Sequence, residues 1–290
     1  MKSYIFLTDS CADLSPAQYQ ELDISMIPLT YLLEEQNYEN LPDESNIPFS
    51  EVYHKLRNGA NIKTSAINVD RFTGFFRNYL EQGLDILYLG FSSGLSGTYS
   101  AGCIAAQELA EEFPQRTILT VDTLGAALGQ GLMVYLTALK RKEGATVQEA
   151  AAYAEDLKLR LAHWFTVDDL FFLKRGGRLS GATALIGSAL GIKPILHVDN
   201  EGHLVKVSTV RGRKNSLKAL ADQMAATAIE PEKQTIFIGH GDCREDAELL
   251  AQMIREGCGY QNIHIGYVGP VIGAHSGPGT IALFFVAKER

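Results

Sequence analysis

The sequence predicts an α/β protein of two domains, the first built on a mostly parallel sheet and the second on a mixed sheet, with a ligand site between them. Three observations predict it. Short apolar runs alternate with segments of helical spacing through the first half, which is the pattern of strand–helix–strand units. In the second half Ile195 to Asp199 and Leu204 to Val210 flank Asn200-Glu201-Gly202, the spacing of a hairpin, so antiparallel pairing enters that sheet. The chain has 290 residues, 46% of them hydrophobic, enough to fill two moderate cores without covalent staples. The change of pattern places the boundary near residue 160, giving domains 1–160 and 161–290.

In order along the chain, Tyr4 to Leu7 is a first strand. Ser15-Pro16-Ala17-Gln18 then combines an N-cap serine, proline at the first helical position and glutamine at the third, a capping box. Ile24 to Leu32 reads as extended. Glu34 to Asn46 is acidic around Pro42 and reads as an exposed loop or hairpin. Phe49 to Arg57 is a short helix stopped by Asn58-Gly59. Ile62-Lys63-Thr64-Ser65 reads as a polar loop feeding a helix over Val69 to Leu80.

Ile86 to Leu89 is a buried strand running into a serine- and glycine-rich turn. After it Leu95, Tyr99, Cys103, Ala106, Ala110 and Phe113 recur at helical intervals, which predicts one buried face closed by Pro114. Thr117 to Val121 is a strand, followed by a helix to about Lys142. A second capping box, Thr146-Val147-Gln148-Glu149, opens the next helix.

From His163 the pattern changes. Trp164 to Val167 is extended, Asp168 to Lys174 helical, Arg175-Gly176-Gly177-Arg178 a basic turn, and Thr183 to Leu190 a helix. Beyond the hairpin come a helix over Ser216 to Thr227, strands at Thr235 to Gly239 and Ile263 to Val268, and a helix between them at Ala247 to Ile254. Gly269 to Gly279 reads as a glycine-rich loop before a last strand, Ile281 to Val286.

Composition excludes several classes. A formal net charge of −8 argues against a nucleic-acid binder, which needs excess Lys and Arg to hold phosphates. Cys11, Cys103, Cys243 and Cys258 lack CxxC or Cys/His spacing, so free thiols in a reducing compartment are expected, with no metal site. The N-terminal apolar run is too short for a signal peptide and no segment approaches a membrane span, so a cytoplasmic location is expected. Neither GxxxxGK[ST] nor GxGxxG occurs, so no nucleotide or other cofactor is expected.

Two chemical readings compete at Gly90-Phe91-Ser92-Ser93-Gly94. The G-x-S-x-G pattern after a strand and before a helix fits a nucleophile elbow, with Ser92 as nucleophile, Asp242 as orienter and His275 as base of an esterase. The other is an anion cradle. Ser92, Ser93, Ser96 and Thr98 supply hydroxyl donors and the N–H groups from Gly94 onward sit where a helix starts, so a carboxylate or phosphate can be held without chemistry. Simple helix capping explains the serines as well. Thr64-Ser65 before a helix is either a turn or a pair of donors. His275, between Gly273 and Gly277-Pro278-Gly279, has little bulk around it and can approach a ligand. Asp9, Asp122 and Asp242 each follow a strand, where capping is the economical role. The basic clusters holding Arg175, Arg178 and Arg211 read as solvated surface or as a docking face on an acidic chain.

With those residues in view, the sequence resembles the DegV family of bacterial fatty-acid-binding proteins, whose members include the binding subunit of bacterial fatty acid kinase. The likeness runs through Thr8-Asp9-Ser10, Lys63-Thr64-Ser65, Ser92 to Tyr99, Asp122-Thr123, Val167-Asp168-Asp169-Leu170, Arg175 to Arg178 and Gly269 to Gly279. Two departures stand out: Ala66-Ile67 follows the Thr-Ser pair where Gln-Pro is common, and Ser276 replaces a common Thr. The resemblance implies a long-chain fatty acid whose carboxylate is bound by Thr64, Ser65, Ser93, Gly94 and His275, with Ser96, Gly273 and Ser276 behind them. It also implies a non-catalytic subunit that presents the acid to a separate kinase catalytic subunit for acyl phosphate formation. Arg175, Arg178 and Arg211 would then face that kinase or, transiently, a membrane surface.

Overall fold

The computed structural model describes residues 4–179, 191–259 and 262–290. The expected helix over Thr183 to Leu190 lies outside the described residues. The first sheet runs in the order β2-β1-β6-β7, from β1 (Tyr4–Asp9), β2 (Ile24–Ile27), β6 (Asp85–Gly90) and β7 (Ile118–Asp122), and every pairing in it is parallel. All six residues of β1 are buried, as a central strand covered on both faces requires. A smaller antiparallel sheet in the order β4-β3-β5 joins β3 (Thr30–Leu33), β4 (Gln36–Glu39) and β5 (Ile62–Ser65).

Two expectations are corrected here. The extended run Ile24 to Leu32 is broken after Ile27 and serves two sheets, with Pro28 in the connection. Ile62 to Ser65, expected as a loop, is strand β5 at the edge of the small sheet, opposite β3 in the register Tyr31 to Thr64 and Thr30 to Ser65. Edge position explains the disguise: only Ile62 is buried, so the stretch carries little apolar signal.

Helices α1 (Pro16–Glu21), α2 (Phe49–Arg57), α3 (Val69–Glu81), α4 (Thr98–Glu112), α5 (Ala127–Lys142) and α6 (Val147–Leu157) complete the first half. Both capping boxes form, at Ser15/Gln18 and Thr146/Glu149, and each such cap contributes about 1 kcal/mol. Helix α4 starts later than its spacing suggests, which leaves Leu95 in the preceding turn. Its buried face is Gly102, Ala105, Ala106 and Leu109, while Ala110 is exposed. Small residues are needed there because a Cβ on Gly102 would come within 2.9 Å of the Tyr88 ring.

The second sheet runs in the order β10-β9-β8-β13-β11-β12, from β8 (Leu161–Thr166), β9 (Ile192–Val198), β10 (Leu204–Arg211), β11 (Ile236–His240), β12 (Ile263–Tyr267) and β13 (Ile281–Val286). It is mixed: β11 and β12 pair in parallel and the other neighbours antiparallel. Helices α7 (Phe171–Gly176), α8 (Arg213–Thr227), α9 (Arg244–Cys258) and α10 (Pro270–Ser276) belong to this half. Helix α10 replaces the expected glycine-rich loop. Pro270 sits in its first turn and Gly277 ends it at φ +81°, so glycine punctuates the helix more than it disrupts it.

Helix α5 lies between the two large sheets. Residues 127–134 are buried without interruption, which marks a helix covered on all sides. One apolar cluster accordingly combines Leu87, Leu89 and Val121 of the first sheet, Leu132 and Met133 of α5, and Phe165, Leu196 and Phe284 of the second. Val271 and Ala274 of α10 belong instead to the cluster of Tyr31, Tyr53 and Phe72, so α10 reaches across to the small sheet and α2.

Candidate functional site

Asp9 at the end of β1 organises the turn after β6. Its buried carboxylate accepts from the N–H of Cys11 (3.0 Å) and Phe91 (2.8 Å), from the Tyr88 hydroxyl (2.9 Å) and from Gln130 Nε2 of α5 (3.2 Å). Burial pushes this carboxyl above its ordinary range, against all four bonds. Asp122 holds the other side of the turn, accepting from the N–H of Leu124 (2.9 Å) and, at 3.3 Å, of Ser93. Asp242 does not cap a helix. It pairs with Arg57 and accepts from the Tyr267 hydroxyl at 3.1 Å.

Within the turn the Ser92 carbonyl accepts from the N–H of both Leu95 and Ser96, at 3.1 Å each, which closes a tight loop. That loop leaves Ser93 exposed and brings Ser96 into the wall of a cavity. Ser93 is exposed beside that wall, and its N–H donates to Asp122. Gly94 packs on the β9–β10 turn, where a Cβ would come within 2.7 Å of the Glu201 carbonyl. Gly273 similarly serves a close approach: a Cβ there would meet the Tyr53 hydroxyl at 2.5 Å.

The cavity lies between the sheets, and both halves of the chain line it. Its polar end gathers Thr64 and Ser65 from β5, Ser96 from the turn, His275 and Ser276 from α10, and Arg178. Thr64 Oγ1 and His275 Nε2 share a hydrogen bond of 2.8 Å across 211 residues of sequence. His275 Nδ1 and the Ser276 hydroxyl are buried without a partner among the described residues. Burial, reinforced by the charges of Arg178 and Arg175, pushes the His275 imidazole down to about 4, so it is neutral at pH 7. Apart from His163 and Thr280, the rest of the wall is largely apolar. Phe165, Val198, Leu204, Ala282 and Phe284 face it from the second sheet, and Phe91, Leu95, Ala126 and Ala127 from the first half.

Arg178 was expected on a partner-facing surface together with Arg175 and Arg211. Those two are exposed, but Arg178 is half-buried and forms part of the wall. The reason is the end of α7. Gly177 takes the left-handed conformation at φ +69° and turns the chain inward, and the Arg178 guanidinium donates to the carbonyls of Gly176 and, at 3.3 Å, Leu95. Two wall residues, Arg178 and His163, escaped the sequence reading. For His163 a signal existed, a lone histidine inside the apolar strand Leu161 to Thr166.

The esterase reading does not survive the geometry. Ser92 is fully buried, its hydroxyl donates to the Gly202 carbonyl at 2.9 Å and accepts from the N–H of Gly94 at 3.2 Å. His275 is engaged with Thr64 and Asp242 with Arg57, so the three supposed triad members stand apart, each with other partners. A nucleophile needs its base within hydrogen-bond reach.

The α/β scaffold thus encloses a largely apolar chamber whose polar groups include the Thr64–His275 pair. The chain belongs to the DegV family, whose model matches residues 5–288. It is 46% identical over 290 residues to a DegV domain-containing protein of Clostridium perfringens, covering 100% of this chain and 99% of that one. Among solved structures, a DegV family protein from Thermus thermophilus, described for its fatty acid binding, is 30% identical with a TM-score of 0.87, covering 99% of this chain and all of that one. A Thermotoga maritima protein, described as revealing a fatty acid binding function, is 27% identical with a TM-score of 0.84 and the same coverage.

Proposed function

We propose that this chain binds a long-chain fatty acid, carboxylate at the Thr64–His275 end and tail in the apolar chamber, and presents it to a separate kinase catalytic subunit that forms the acyl phosphate. The chain supplies no catalysis and needs no cofactor, and it works in the cytoplasm. One observation carries the reading: His275 Nδ1 and the Ser276 hydroxyl are buried and, among the described residues, unpaired in a largely apolar cavity. Buried polar groups without partners are costly, and a carboxylate satisfies several at once. The fatty acids bound by structural relatives point the same way. The tail contributes most of the affinity. At about 0.8 kcal/mol per methylene, a chain of about fifteen gives roughly 12 kcal/mol before ordering costs.

Denaturing extraction followed by mass spectrometry tests the binding step. A long-chain fatty acid should be released from the purified protein, and a protein that is empty and also fails to take up added hexadecanoic acid would refute it. Thr64→Val and Ser276→Ala should each weaken hexadecanoic acid binding about tenfold, the equivalent of about one hydrogen bond to a charged group. Equal affinity in both variants would remove the assignment of the head-group end. Acyl phosphate formation with a competent kinase subunit and ATP tests the presenting role.

A further inference from the structure

The imidazole of His163 is a buried part of the chamber wall. It is 2% exposed and packs edge to face against Phe284 at 5.3 Å between centroids. Nδ1 lies 2.8 Å from the Leu161 carbonyl, and since a carbonyl only accepts, Nδ1 carries the proton. Nε2 is therefore a bare acceptor. It has no partner among the described residues. Burial holds this ring well below the ordinary histidine range, with the Arg290 charge adding to the effect, so the neutral form persists at pH 7.

The surroundings narrow what can satisfy Nε2. A Cβ on Gly129 would come within 2.4 Å of it and one on Gly125 within 2.8 Å, so both glycines pass close to it. Their amides are already committed: the N–H of Gly125 donates to Thr123 Oγ1 and that of Gly129 to the Ala126 carbonyl. The chamber that His163 lines is left open as the source of a donor. Phe165, Phe284 and Ala127, which line the chamber with His163, offer no polar side-chain group. A plain alkyl tail would leave the acceptor unpaired.

Resting on the fatty-acid reading, we propose that the preferred ligand is a hydroxylated long-chain fatty acid whose chain hydroxyl donates to His163 Nε2 inside the apolar chamber. A site that pairs a ligand hydroxyl discriminates strongly against the analogue lacking it, because the buried partner is then left unsatisfied.

The test is competitive binding, read by native mass spectrometry, of 10-hydroxyoctadecanoic and 12-hydroxyoctadecanoic acids against octadecanoic acid. The wild-type protein should prefer at least one hydroxy acid by about tenfold, and His163→Leu should bring that ratio close to one. Octadecanoic acid bound as well as or better than both hydroxy acids would overturn the proposal while leaving the fatty-acid reading intact. Failure of all three acids to bind would remove that reading and this proposal with it. Should the leucine variant not fold, the ¹⁵N resonance of His163 Nε2 in the wild-type protein decides: it should move upfield with the preferred hydroxy acid and not with octadecanoic acid, and an unmoved resonance contradicts the proposal.

Discussion

At Gly176 the chain has no room for a methyl group: a Cβ there would lie 2.2 Å from His275 Nδ1. The glycine sets how closely α7 covers the head-group end. Gly176→Ala should displace the imidazole and weaken hexadecanoic acid binding tenfold or more in calorimetric titration; an unchanged affinity would mean that His275 does not set the head-group geometry. Asp9 is the structural counterpart. Asp9→Ala strands the Phe91 amide, the Tyr88 hydroxyl and Gln130 in a buried space, and should cost about 3 kcal/mol in denaturant unfolding. A loss within 0.5 kcal/mol, roughly the surface-substitution level, would contradict its role as the tie between turn and sheet. At this scale residue types were legible in the sequence but partners were not. Thr64 and His275 both stood out, yet nothing local could pair residues 211 apart. Ser93 and Ser96 could not be told apart either, because the roll of the turn depends on the Ser92 carbonyl taking two amides.

Elements with a strong period or a cap were legible at the level of single stretches: both capping boxes, the helix from Val69 and the hairpin around Gly202 form as their residues dictate. Those missed share a physical cause. Strand β5 is an edge strand with one buried residue, and α10 is seven residues long within a glycine-dense stretch, so tertiary contacts rather than local preference define both. Tyr53 shows one such contact. Its buried hydroxyl on α2 donates to the Val268 carbonyl at 2.7 Å, just before α10. Tyr53→Phe should cost about 1 kcal/mol, lowering the thermal midpoint by about 2 °C; an unchanged midpoint would show that this bond does not hold α10 to α2.

For the whole molecule the two large sheets, with α5 between them, make a chamber that neither forms alone, and burial there sets a pH dependence. His163, His197, His240, His264 and His275 are all held below the ordinary histidine range, in each case first by burial. Their neutral forms favour the fold. The stability they contribute is present above the unfolded value near 6.5 and is lost as pH falls through about 4, where His240 and His275 titrate. Asp9 and Asp13, raised first by burial, act in the opposite sense: their contribution is present below 3.8 and lost as pH rises through the raised folded values. Through the histidines the ligand-free thermal midpoint should fall from pH 7 to pH 4.5, and a flat profile would contradict their contribution. Among the described residues no helix is long and apolar enough to cross a membrane.

The central claim is the orientation of an amphiphile in this chamber, and a crystal structure with hexadecanoic acid tests it most directly. The account predicts the carboxylate within hydrogen-bond distance of His275 or Ser276, beside Thr64, with the tail running between Phe165 and Phe284. A carboxylate placed at the His163 end, or an acid bound outside the chamber, would contradict it.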